Sequence, residues 1–229
     1  MGISTEPGDR TRLWVSIATA ALAWAAFTMT VLHLISSHDP LTDTLSSYAF
    51  TDRGTGMLGA SILATAIGSL ATLAALSAAG IAVSGTSRAL FGTWSLGLGA
   101  AALFPASYPE HPNPVSGEIH QYSCVIAFLS LPALGFSLLD TLPSGRRAVR
   151  GISAGATLML LLFGIGYALP WLLPVGFVQR LALIVDVALI CSLIVIARRN
   201  TSAGPGGIGV SRPSASPDLD PSFPSAGPL

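Results

Sequence analysis

Apolar residues in this chain fall in long blocks rather than at amphipathic spacing. A block of about 18 or more apolar residues can cross the roughly 30 Å hydrocarbon layer of a membrane as a helix. The pattern predicts six such spans, at about Leu13–Ile35, Met57–Ala79, Ala89–Phe104, Tyr122–Leu139, Ser153–Leu173 and Phe177–Ala197. The expected fold class is an all-α polytopic membrane helical bundle with six transmembrane helices. Ala89–Phe104 is short for a bilayer, so its helix is expected to extend back past Arg88 or to sit tilted among its neighbours. Pro132 inside the fourth block and Pro170 near the end of the fifth are expected to kink those helices.

The blocks divide the chain into an N-terminal tail at 1–12, a transmembrane domain at 13–199 and a C-terminal tail at 200–229. The last is rich in Gly, Pro, Ser and Asp and cannot bury enough apolar surface to fold, so it is expected to be disordered. The first block exceeds the 7–15-residue core of a secretory signal, and no small-residue cleavage site follows it; it reads as a membrane helix. Glu6 stands where a myristoylation signal needs Ser or Thr. Gly59, Ala60, Ser61, Ala64, Gly68 and Ala71, and the GxxxG pair Gly151 and Gly155, suit close helix packing in lipid.

Composition excludes a water-soluble domain: 51% of residues are hydrophobic and 10% charged, against about 25% charged in soluble domains. All eleven basic residues are arginine, balanced by eleven acids, which offers no argument for nucleic-acid binding. Cys124 and Cys191 both lie in apolar blocks and read as small core residues. Arg10, Arg12, Arg88, Arg146, Arg147, Arg150, Arg198, Arg199 and Arg212 fall on one predicted face, and only Arg53 and Arg180 on the other. Cytoplasmic loops carry the arginine excess, so both termini are expected in the cytoplasm of a multi-pass cell-membrane protein.

All four histidines lie on the predicted outer face: His33 and His38 around the end of the first span, His111 and His120 before the fourth. Asp39, Asp43, Asp52, Glu110 and Glu118 join them there. The first outer loop also carries Tyr48, Ser46 and Ser47; it reads either as chemistry or as a turn at His38-Asp39-Pro40 followed by helix caps at Asp43, Thr44, Ser46 and Ser47. In the second outer segment, Ser116-Gly117-Glu118 makes a helix start, with His120 in the first turn and Cys124 one turn deeper on the same face. Asp186 is the one acid inside a span, nearer the outer end, and reads as a functional site or as a hydrogen-bonding partner for a neighbouring helix.

Three chemistries fit these residues. Histidine and carboxylate suit a divalent metal, although no pair has a recognisable ligand spacing. His120, Glu118 and Asp186 suit acid–base work on a lipid entering from the outer leaflet. Ser46 or Ser47 with His38 or His120 as base would make a nucleophile, without any GxSxG elbow.

The loop HDPLTDTLSSYAFTDRG, the run AIGSLATLAAL and the segment FPASYP…SGEIHQYS together resemble the DUF998 family of bacterial, largely actinobacterial, membrane proteins, over about Leu13 to Arg199. The family-like positions are His33, Asp39, Pro40, Ser46, Tyr48, Gly54, Gly68, Pro105, Gly117 and His120. The chain is similar, more distantly, to the Frag1/DRAM/Sfk1-like six-helix proteins, some of them linked to lipid remodelling and membrane lipid distribution. The resemblance implies a six-helix architecture without an assigned activity. Residues and resemblance lead to a first expectation: an outer-leaflet cavity lined by His33, Asp39, Tyr48, His120 and Asp186, with Glu118 beside it, that binds or chemically alters a lipid or isoprenoid amphiphile. The second is a non-catalytic accessory or transport-related protein with structural outer loops. Neither specifies a cofactor, a metal or an oligomeric state.

Overall fold

A bilayer leaves a spanning backbone no water to bond, so apolar blocks of this length fold as helices. The computed structural model describes residues 7–50, 54 and 56–202, and every regular element among them is helical. The α-helices are α1 (Pro7–Ile35), α2 (Met57–Ala78), α3 (Gly85–Leu103), α4 (Pro114–Leu138), α5 (Arg146–Ala168) and α6 (Val175–Ser202). A 3-10 helix, Leu45–Phe50, lies in the α1–α2 connection.

Local capping sets the starts that hydropathy misjudges. The Ser84 hydroxyl accepts from Ser87 N at 3.0 Å, so α3 begins before Arg88. The Asn113 side chain accepts from Ser116 N at 3.1 Å and Pro114 occupies the first turn, which starts α4 two turns ahead of Tyr122. Gly56 and Gly145 precede α2 and α5 with φ of 80° and 74°.

Five of the helices, all but α3, are long and apolar enough to cross a membrane, and the chain is a multi-pass membrane-type helical protein. In its 19 residues α3 carries Thr86, Ser87, Arg88, Thr93, Ser95 and four glycines, which lower its hydropathy. Consecutive helices are antiparallel neighbours, joined by short connections except for the 21-residue stretch between α1 and α2, and α6 closes back on α1 and α2. Both ends of the described chain therefore share one face, the terminal face, where Asn200 Nδ2 donates to Ala79 O at 2.7 Å. The far face carries the α1–α2, α3–α4 and α5–α6 connections. Arg10, Arg12, Arg88, Arg146, Arg147, Arg150, Arg198 and Arg199 belong to the terminal face, and Arg180 to the far face. Asp52, Arg53, Arg212 and nearly all of the expected disordered tail lie outside the described residues.

Fully buried Phe91, Trp94, Leu131, Leu134, Leu189 and Leu193 form the centre. Hydrogen bonds cross between helices: Ser61 Oγ to Ala25 O at 2.9 Å joins α2 to α1, and Trp94 Nε1 to Ser69 Oγ at 2.8 Å joins α3 to α2. The close approach of α3 and α4 occurs at Gly97, where a Cβ would lie 2.8 Å from Ser123 O. The GxxxG spacing marks no such crossing within the chain, because Gly151 faces open space and Gly155 meets only Val185. The outward surface is apolar, with Trp24, Phe27, Leu96, Leu129, Leu161 and Ile184 all exposed. Exposed Tyr167 and Trp171 stand at the far-face end of α5.

Candidate functional site

Below the far face, α1, α2, α3 and α6 line a cavity of about 500 Å³ that is open to the side, where its lining residues Ala26, Thr30 and Ile184 are exposed. Leu22, Met29, Ile62, Leu98, Leu183 and Val187 supply its apolar wall, and His33 and Arg180 close it with polar groups. A volume of this size suits a small organic ligand or one lipid chain.

Arg180, in the second turn of α6, binds the first connection to the bundle. Its Nη1 donates to Asp43 O at 2.8 Å and to Gly176 O at 2.9 Å. Its Nη2 donates to the Tyr48 hydroxyl at 2.8 Å, and its Nε donates to His33 Nε2 at 2.9 Å. Because Nε2 accepts, the His33 proton sits on Nδ1, which donates to Met29 O at 2.8 Å, and the ring is neutral. Tyr48, 1% exposed, packs edge-on to His33 at 5.1 Å, against His38 at 5.4 Å, and under the guanidinium carbon at 5.4 Å.

Neighbouring bonds fasten the same connection. Gln179 Oε1 accepts from Leu45 N at 2.7 Å, and Phe177 N donates to Leu41 O at 3.0 Å. Gly176 passes so close to the Asp43 carbonyl that a Cβ there would run into it. The second connection packs on the first: the Tyr108 hydroxyl bonds Thr44 and Ser46 at 2.9 and 3.1 Å, and His111 stacks on Phe50 at 4.6 Å.

The six expected site residues therefore divide. His33 and Tyr48 meet at Arg180, and of the six only His33 lines the cavity. Asp39 is exposed and folds a turn, accepting from Leu41 N at 2.9 Å and Thr42 Oγ1 at 3.0 Å. Glu118 is exposed on the first turns of α4. His120, 8% exposed, sits between α3 and α4; its Nδ1–H reaches Ala101 O at 3.0 Å and Phe104 O at 2.9 Å, capping the end of α3. The Cys124 thiol donates to its Nε2 at 3.5 Å. Asp186 is 2% exposed within the bundle and lines no part of the cavity; no hydrogen bond or ion pair joins its carboxylate to another described residue.

Among the described residues no three His, Cys, Asp or Glu side chains are grouped to hold a metal ion. Arg180 was visible in the sequence only as an exception to the arginine bias. Its signal was position: a lone arginine entering an apolar block on the face that holds the polar loops.

No curated protein and no solved structure matches the chain. The model of the family described as protein of unknown function (DUF998) matches residues 17–196, and the chain belongs to that family.

Proposed function

We propose that the protein binds a lipid or isoprenoid amphiphile, with the tail in the cavity between α1, α2, α3 and α6 and the head at its far-face end. The carrying observation is the cavity itself, about 500 Å³ of apolar wall with Arg180 and His33 at one end. Arg180 lies about 8 Å along α6 from Val175, the depth of the zone between headgroups and acyl chains. Thr30 and Ile184 line the cavity yet are exposed between α1 and α6, so a tail has a route from the surrounding lipid.

In this reading all six helices cross the cell membrane and both termini are cytoplasmic. The eight described arginines of the terminal face against one on the far face support that orientation. The chain acts by binding, because the loop residues that looked chemical spend their polar atoms on turns and caps: Asp39 on Leu41 and Thr42, and His120 on α3. The same observation favours the second reading, an accessory or transport-related protein, in which the amphiphile is cargo or a structural lipid.

The test is mass spectrometry of lipid retained by the protein purified in mild detergent, with thermal unfolding as the companion measurement. Wild type retains lipid, and returning lipid to a stripped sample raises its unfolding temperature. Ala26→Phe, which fills the cavity from α1, retains less than half as much. Stripped wild type that responds to no added lipid overturns the proposal.

A further inference from the structure

The polar groups around the cavity differ in what they have left to offer. The Thr30 hydroxyl donates to Ala26 O, Thr65 to Ser61 O and Ser61 to Ala25 O, at 2.8 to 2.9 Å. Trp94 Nε1 donates to Ser69, and His33 Nδ1–H to Met29 O. Each of these has one proton to give and has given it. Arg180 has five N–H groups, of which four have described acceptors, so one Nη2–H is unspent.

Charge points the same way. All four acceptors on Arg180 are neutral: an imidazole, a phenol and two backbone carbonyls. Asp43, the described carboxylate residue in contact with it, presents its carbonyl, and its carboxylate bonds His38 Nδ1 at 3.1 Å and Asp39 N at 3.0 Å. Among the described residues the guanidinium has no anion within ion-pair distance, at one end of an apolar cavity. A cation in that setting is relieved most by a partner of opposite charge, and guanidinium binds oxyanions with short, charge-assisted bonds.

We propose that the ligand is a lipid with an oxyanion head, phosphate or carboxylate, held by the free Nη2–H and the charge of Arg180 while its chain fills the cavity. This rests on the amphiphile reading above and adds the head chemistry to it. His33 and Tyr48 position the guanidinium by accepting from Nε and Nη2, and the Asp43 and Gly176 carbonyls take both Nη1 protons, so the one donor left at this cavity-lining residue is the second Nη2–H.

Two probes with identical tails separate the claims, dioleoyl phosphatidic acid and dioleoylglycerol, titrated into lipid-stripped protein and read by native mass spectrometry. The phosphate lipid is expected to bind about tenfold tighter or more, the size of one charge-assisted hydrogen bond. Arg180→Gln, checked for folding by its unfolding transition, should bring the two within about threefold. Should that variant not fold, wild type at raised salt replaces it, and the preference should shrink as screening grows. Equal binding of both probes by wild type overturns the oxyanion assignment and leaves the amphiphile reading standing. Binding of neither overturns the amphiphile reading. Inorganic phosphate protecting as well as the lipid would show a soluble anion site and overturn the lipid assignment.

Discussion

Arg180 donates to the backbone carbonyl of Asp43 at 2.8 Å, while the Asp43 carboxylate turns away to His38 at 3.1 Å. An aspartate beside an arginine would ordinarily neutralise it; here the chain uses the carbonyl for attachment and keeps the cation uncompensated by it. The same guanidinium ties Tyr48 and His33, so its loss leaves three acceptors without their donor. Arg180→Ala should lower stability by about 2–4 kcal/mol, more than one neutral hydrogen bond is worth. Arg180→Lys should recover only part of it, because an ammonium cannot reach three directions as a planar fork does. Asp43→Asn should cost under about 1 kcal/mol, since the His38–Asp43 pair is partly exposed. Unfolding in detergent measures all three, and an Arg180→Ala protein as stable as wild type would remove Arg180 from the centre of the connection.

Gly176 offers a second, independent test of that attachment. A Cβ at this position runs into the Asp43 carbonyl, which is backbone and itself held by Arg180. Gly176→Ala should cost about 1–3 kcal/mol, as overpacking does, and should increase proteolysis in the α1–α2 connection. Gly99→Ala is the control: nothing lies within 4 Å of its Cβ, so the helix should gain up to about 1 kcal/mol. Equal effects of the two substitutions would rule out the contact.

The helices were legible because length of apolar run is the property a bilayer selects. Met57 opens α2 and Ile35 closes α1 where the hydropathy pattern places them. Four starts fall earlier than expected: those at Gly85 and Pro114 were set by Ser84 and Asn113, polar caps that a hydropathy pattern reads as loop, while α1 and α5 begin at Pro7 and Arg146 rather than Leu13 and Ser153, taking in polar and arginine-rich turns that carry no apolar signal. The site was legible only by halves. His33 and Tyr48 stood out as polar residues in one connection, yet Arg180, which joins them, is separated from them by more than 130 positions. Depth along a helix suggested that Asp186 and His120 belong together, but depth fixes height and not direction: His120 turns to the end of α3, and Asp186 is buried in the bundle without lining the cavity.

His120 caps Ala101 and Phe104 with one N–H and receives the Cys124 thiol on the other nitrogen. Its expected role is to hold α3 on α4. His120→Ala should therefore destabilise the protein by about 1–3 kcal/mol through orphaned carbonyls, with retained lipid unchanged in the fraction that folds. A stable His120→Ala protein that has lost its lipid would instead make the imidazole part of the binding site.

Orientation can be read by thiol labelling. Ser37 is exposed on the far face and Ser144 on the terminal face. With Cys124 and Cys191 replaced, Ser37→Cys should react with a membrane-impermeant maleimide in intact cells, and Ser144→Cys only after permeabilisation. Labelling of both positions in intact cells, or the reverse pattern, would discard the cytoplasmic placement of the termini.

Asp186 poses the sharpest choice between stability and function. It is 2% exposed, inside α6, with no hydrogen bond or ion pair to another described residue. A buried carboxyl group without partners costs free energy whichever form it takes, and an apolar side chain of similar size escapes that cost. Asp186→Leu should therefore raise the unfolding free energy by about 1 kcal/mol or more, and Asp186→Asn, which keeps the polarity, should gain less. If both substitutions destabilise the protein by more than about 1 kcal/mol, the carboxylate has a structural partner that only the membrane-embedded protein forms. If Asp186→Leu is more stable but abolishes lipid retention, the group is kept for function at the expense of stability, the pattern expected of an intramembrane acid.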